Sequence, residues 1–171
     1  MCIRDRFLIH WPLPTRYDGD YVSTWQTLEE FYRAGRARSI GVSNFQPHHL
    51  RRLHTECEIP PAVNQIELHP YLTQDDVRAF CGEHQIAIEA WSPIAQGLVL
   101  DDPTIVSIAS GAGKSPAQVV LRWHIERGDI VFPKSVSYTH LFVRPAGRAR
   151  VGGQSYPHVP PLSPARGGRA G

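Results

Sequence analysis

Ser39-Ile40-Gly41-Val42-Ser43-Asn44-Phe45-Gln46-Pro47 decides the fold. The apolar run 39–42 is too short for a helix and ends on the polar pair Ser43-Asn44. Pro47 follows as a first helical position, with Leu50 and Leu53 spaced for one buried helix face. The same order recurs on both sides. Phe7-Leu8-Ile9 comes before it, and Val63-Asn64-Gln65-Ile66, Ala87-Ile88-Glu89-Ala90 and Ile130-Val131-Phe132 come after. Helical patterns separate the runs. Trp25, Leu28, Phe31 and Tyr32 share a face and stop near Gly35. Thr73 is expected to cap a helix with Asp75 and Asp76 in its first turn and Val77, Phe80, Cys81 and His84 facing inward. Ser115-Pro116-Ala117-Gln118 has the form of a capping box. Its helix presents Val119, Val120 and Trp123 and ends at Gly128. Strand and helix in alternation, with short connections, predict an α/β fold with a parallel sheet.

The chemistry at the strand ends selects the kind of sheet. No glycine-rich fingerprint follows a strand, which argues against an open dinucleotide-binding sheet. Polar or aromatic residues instead close all five runs: His10, Ser43 and Asn44, Gln65, Trp91 and Ser92, Lys134 and Ser135. Functional groups gathered from many strand ends are how a (β/α)8 TIM barrel builds its active face. With five strand-helix units in the sequence, a partial barrel is expected.

Composition narrows the function. With 42% hydrophobic and 20% charged residues in 171, the chain can form a core and is not wholly disordered. No apolar run reaches the ~18 residues of a spanning helix, so no membrane role is expected. Cys2, Cys57 and Cys81 form neither a CxxC pair nor an even framework, which fits a reducing cytoplasm. The net charge of +2 is unevenly spread. Residues 7–136 hold 11 basic and 15 acidic side chains, a net of −4, whereas 137–171 hold five arginines and no acid. The central part therefore offers no basic surface for nucleic acid.

The two ends read differently from the middle. Residues 137–171 contain six glycines and five prolines and sustain no helical or strand period. Residues 1–5 can be encoded by ATG TGT ATA AGA GAC, whose reverse complement encodes Val136-Ser137-Tyr138-Thr139-His140. That in-register relation is expected of a library adapter. The expected organisation is thus an adapter-derived scar at 1–6, the C-terminal part of a barrel at 7–136, and an artefactual or disordered tail at 137–171.

Five motifs together carry a family resemblance: Leu8-Ile9-His10-Trp11-Pro12, Gly41-Val42-Ser43-Asn44-Phe45, Asn64-Gln65-Ile66-Glu67-Leu68-His69-Pro70, Ala90-Trp91-Ser92-Pro93 and Phe132-Pro133-Lys134-Ser135. In order and spacing they resemble the aldo-keto reductases, over residues 7–135 and strands four to eight of the barrel. The resemblance implies NADPH-dependent reduction of an aldehyde or ketone by a cytoplasmic, bacterial, monomeric parent. Its catalytic set is Asp, Tyr, Lys and His. His10 matches the histidine that orients the substrate carbonyl, and Trp11 matches a substrate-pocket aromatic. Ser43, Asn44 and Gln65 match the residues that grip the nicotinamide carboxamide. Trp91 matches the aromatic that stacks on the nicotinamide. Trp91 with the run Ser92-Pro93-Ile94-Ala95-Gln96-Gly97 resembles bacterial 2,5-diketo-gluconate reductases more than the tyrosine-bearing animal members, so Ser92, Ile94 and Gln96 are expected along the pyrophosphate. Lys134 and Ser135 match contacts to the adenosine 2′-phosphate. The Asp, Tyr and Lys belong to the first three barrel units, outside this sequence, so the chain alone is expected to be inactive. Two unpaired parallel edges are expected to make it poorly soluble.

Other readings fit less of the sequence. A non-enzymatic member of the fold that keeps cofactor binding is the alternative, and a nucleic-acid arm built on the arginine-bearing tail is a third. Gly113-Lys114-Ser115 ends like a phosphate loop, but the first glycine of that motif would fall at Ile108, and Ser115 serves better as a cap. His48, His49 and His54 are expected on a polar helix face rather than around a metal. Glu67 and His69 are expected to pair structurally, and Asp101-Asp102 to form a loop and cap before Pro103.

Overall fold

The computed structural model describes residues 4–133. Five strands, β1 (Arg4–Ile9), β2 (Ala37–Ser43), β3 (Val63–Glu67), β4 (Ala87–Trp91) and β5 (Ile130–Val131), form one sheet in the order β1-β2-β3-β4-β5. Every pairing is parallel, with Leu8 beside Gly41, Ser43 beside Gln65, Glu67 beside Trp91 and Ala90 beside Val131. Parallel neighbours need crossover connections, and helices supply them: α1 (Val22–Arg33), α2 (Pro47–Glu56), α3 (Asp75–Glu83), α4 (Pro103–Ala112) and α5 (Pro116–Glu126). All carboxyl strand ends consequently lie at one end of the sheet.

The main core is built from alternate sheet positions and helix faces. Trp25, Ile40, Val42, Phe45, Leu50, Leu53, Ile66 and Val77 are almost wholly buried in it. Trp25 resolves its one polar atom by donating Nε1–H to the Ile59 carbonyl at 3.0 Å. A second, smaller cluster joins Ala95, Val99, Ile105 and Val120 beneath the segment after β4. Gly41 sits where its neighbours leave no room for a side chain. A Cβ there would lie 2.5 Å from Val63 Cγ1 and 2.7 Å from the Val63 carbonyl oxygen. Glycine lets β2 and β3 approach.

Several local expectations hold. Ser115 Oγ accepts from Gln118 N at 3.3 Å while Gln118 Oε1 accepts from Ser115 N at 2.9 Å, a reciprocal capping box. Asp102 caps α4, accepting from Thr104 N and Ile105 N. Gly113, at φ +61, ends that helix rather than opening a phosphate loop.

Others need correction. Thr73 does not cap α3. Its hydroxyl donates to the Asp75 carboxylate at 2.9 Å, and Gln74, at φ +52, precedes the helix instead. A charge-assisted bond to a neighbouring carboxylate draws the hydroxyl away from the helix N–H groups. His49 is not on a polar face. It is only 6% exposed, packs edge-on against Tyr21 and Phe45, and accepts Gln46 N–H on Nδ1 at 3.1 Å. Burial, with His48 alongside, pushes it down to about 4. β1 begins at Arg4, three residues before the apolar run Phe7-Leu8-Ile9, because an edge strand can pair through its backbone with any side chains. Helix α4 lies outside the helical patterns read from the sequence, although Asp102-Pro103 and Gly113 bracket it.

Candidate active site

Asn44 organises the strand ends. It follows β2 at φ +63, a left-handed conformation that asparagine tolerates better than most residues. Its backbone N–H donates to the Gln65 carbonyl at 2.9 Å. Its Nδ2 donates to the His10 carbonyl at 3.0 Å and to Ser43 Oγ at 3.2 Å. Its Oδ1 accepts from Trp91 Nε1 at 3.1 Å. One residue thereby ties the ends of β1, β3 and β4 to β2. Ser43, 2% exposed, donates its hydroxyl to the Gln65 carbonyl at 2.7 Å.

Gln65 takes part in those bonds through its carbonyl and uses its side chain for another. Nε2 donates to Glu89 Oε2 at 2.9 Å, and the Arg6 guanidinium pairs with Glu89 Oε1. Glu89 is 1% exposed, and a carboxylate so buried requires such partners. Glu89 is a member of this cluster that the sequence reading passed over. Its signal was one charged residue inside an apolar run.

His10 and Trp11 stand at the mouth of β1. Both are exposed, with their ring centroids 6.2 Å apart. The structure therefore joins His10, Ser43, Asn44, Gln65 and Trp91 into one bonded group, with Trp11 beside it.

The segment after β4 has a different character. Ser92, Ala95, Gln96 and Gly97 have φ of +52, +46, +56 and +103. Left-handed non-glycine residues cost free energy, so three such positions in six, Ser92, Ala95 and Gln96, require fixed surroundings. Ala95 N–H donates to the Ser92 carbonyl and Gly97 N–H to the Ile94 carbonyl, both at 2.8 Å. Ser92 Oγ is buried without a hydrogen-bond partner among the described residues. Ile94 packs its side chain onto the second apolar cluster, while Gln96 is exposed. Lys134 and Ser135 lie outside the described residues.

Two charged features flank this segment. His124 on α5 is wholly buried, with Nδ1 3.2 Å from Asp129 Oδ2 and Nε2 3.1 Å from the Pro93 carbonyl. Asp129 also pairs with Arg78 of α3. Burial acts to raise Asp129, but hydrogen bonds from His124 and Arg78 and the Arg78 charge outweigh it, holding the carboxyl below its ordinary value. On the other side Tyr71 donates its hydroxyl to Asp102 at 2.8 Å. Glu67 and His69 pair at 3.6 Å, as expected of a structural contact. Burial lowers His69 by more than Glu67 raises it.

Comparison with known proteins fits this geometry. The Aldo/keto reductase family profile matches residues 4–142. An aldo-keto reductase of Mycolicibacterium smegmatis is 53% identical over 133 residues, 78% of this chain and 48% of that protein. The glyoxal reductase of Bacillus subtilis is 48% identical over 132 residues, 77% of this chain and 46% of that one. A crystal structure of a Gox0644 variant in complex with NADPH superposes with a TM-score of 0.74 at 48% identity, covering 79% of this chain and 49% of that one. The chain spans about half the length of the curated relatives it matches. Its five parallel strands and their helices are part of a (β/α)8 barrel. With a family profile over most of its length, and the strand-end histidine, asparagine and tryptophan bonded into one cluster, the chain belongs to the aldo/keto reductase family.

Proposed function

We propose that this chain forms the cofactor-gripping part of a cytoplasmic, NADPH-dependent reductase of aldehydes or ketones, a keto-sugar or a small dicarbonyl among them. The observation that carries the reading is the bonded cluster His10–Asn44–Trp91 at the carboxyl strand ends. Donor and acceptor counting supports a carboxamide there. Asn44 Nδ2 spends both hydrogens on His10 and Ser43, but Oδ1 keeps one lone pair beyond Trp91. Gln65 Nε2 spends one hydrogen on Glu89 and keeps another. One free acceptor and one free donor are what a primary amide needs. The unpartnered Ser92 hydroxyl and the left-handed turn after it suit a pyrophosphate.

In this reading Asn44 and Gln65 hold the carboxamide, with Ser43 fixing Asn44. Trp91 lies on the nicotinamide ring and excludes water from it. Ser92, Ile94 and Gln96 line the pyrophosphate, and Lys134 and Ser135 meet the 2′-phosphate. When bound, the nicotinamide supplies the hydride for the carbonyl carbon. His10 offers a ring N–H to the carbonyl oxygen, where negative charge develops, and Trp11 walls the substrate. The general acid and its partners belong to barrel units outside residues 7–136, so the 171-residue chain is inactive alone. The relative that acts on glyoxal supports a small carbonyl substrate.

The test is the full-length protein read from intact parental DNA. It should oxidise NADPH in the presence of methylglyoxal or a keto-sugar. His10→Ala should lower kcat by about 100- to 1000-fold, the size expected on removing one oxyanion donor. A full-length protein that binds NADPH tightly but turns over no carbonyl would establish the non-enzymatic scaffold instead.

A further inference from the structure

The turn at 92–97 is held from below by a residue the function does not otherwise use. Three consecutive carbonyls of that turn are engaged. Ser92 and Ile94 accept from within the turn, and Pro93 accepts from His124 Nε2 at 3.1 Å, across 31 residues of chain. The imidazole has no other exit, because its Nδ1 faces Asp129 at 3.2 Å and the residue is completely buried. A carbonyl and a carboxylate are both acceptors. The ring satisfies the two together when both nitrogens carry hydrogen. Asp129 is fixed in turn by Arg78, whose other guanidinium nitrogen donates to the Arg127 carbonyl at 3.0 Å. A row of polar contacts thus runs from α3 to the loop after β4: Arg78, Asp129, His124. Its last member ends on the residue between Ser92 and Ile94.

We propose that His124 is a positioning residue. It locks the Pro93 carbonyl so that Ser92 and its turn keep the shape that receives the cofactor pyrophosphate. This rests on the cofactor reading above. It adds that a buried side chain, well behind the binding face, sets affinity for the phosphate bridge.

The test measures dissociation constants of the full-length protein for NADPH and for 2′-AMP, which has the adenosine end but no pyrophosphate. His124→Phe keeps a ring and removes the donor. It should weaken NADPH about tenfold, the size of one hydrogen bond lost, and change 2′-AMP less than about twofold. His124→Gln, which restores an N–H toward Pro93, should recover most of the loss. If His124→Phe does not fold, Asp129→Asn serves, because it loosens the ring without removing it and should give a smaller loss with the same selectivity. Equal weakening of both ligands, or unchanged NADPH binding, would overturn the proposal. If the unsubstituted protein binds 2′-AMP but not NADPH, or binds neither, the cofactor reading fails first and this inference with it.

Discussion

The strand ends and the turn after β4 lie side by side and solve opposite problems. At the strand ends the polar atoms answer one another. Asn44 bonds to His10, Ser43 and Trp91, and Gln65 to Glu89. In the turn, by contrast, a buried hydroxyl has no partner and three non-glycine residues are left-handed. The first region stabilises the fold while it offers a few remaining valences. The second is held in place by other elements and leaves its own group uncommitted. A side chain in the first region should matter to stability and to binding, and one in the second to binding alone.

Asn44→Ala is the most severe test of that difference. It removes a residue that tolerates φ +63 and leaves Trp91 Nε1–H and the His10 carbonyl without their partner. A loss of about 2–3 kcal/mol is expected in denaturant unfolding of the full-length protein, together with weaker NADPH binding. Unchanged stability would break the distinction between the two regions.

Next in size is a pH effect confined to the strand side. His49, behind β2, titrates at about 4 instead of 6.5. Between those values the unfolded chain binds the proton and the folded chain does not, so stability falls as pH drops from 6.5 toward 4. His69, also lowered, adds a fall of the same sign. Unfolding midpoints measured across this window should decline less steeply in His49→Gln.

The smallest change in stability belongs to Ser92→Ala. Removing a hydroxyl that has no partner among the described residues should shift unfolding by less than about 0.5 kcal/mol. NADPH binding should still weaken. A stability loss as large as that of Asn44→Ala would mean that the turn is structural after all.

What the sequence disclosed follows from the range of the interactions. Apolar runs and caps are local, so all five strands and the Ser115 and Asp102 caps were readable. The strand-end positions of His10, Asn44 and Trp91 were readable through their motifs. Thr73 failed because a carboxylate acceptor and the helix N–H donors compete for one hydroxyl, and only coordinates say which wins. His49 failed because a polar ring at the third helical position can turn inward to cap its own helix. Glu89 and His124 stayed hidden for another reason. Their partners, Arg6 and Pro93, are brought near by sheet order and helix packing, which leave no local pattern. Burial makes Cys57 and Cys81 equally quiet: both thiols are pushed up to about 11, so neither suggests redox chemistry.

The strand order β1-β2-β3-β4-β5 also bears on how such a chain is made. Each of β2 to β5 pairs with the strand synthesised just before it, so its docking template is already present when it leaves the ribosome. Assembly can proceed unit by unit from the amino end, with short loops closed at every step and little time spent with an apolar edge exposed. Contacts such as His124 to Pro93 come last. The phosphate-facing turn therefore reaches its final shape only after the helix that fixes it has been added.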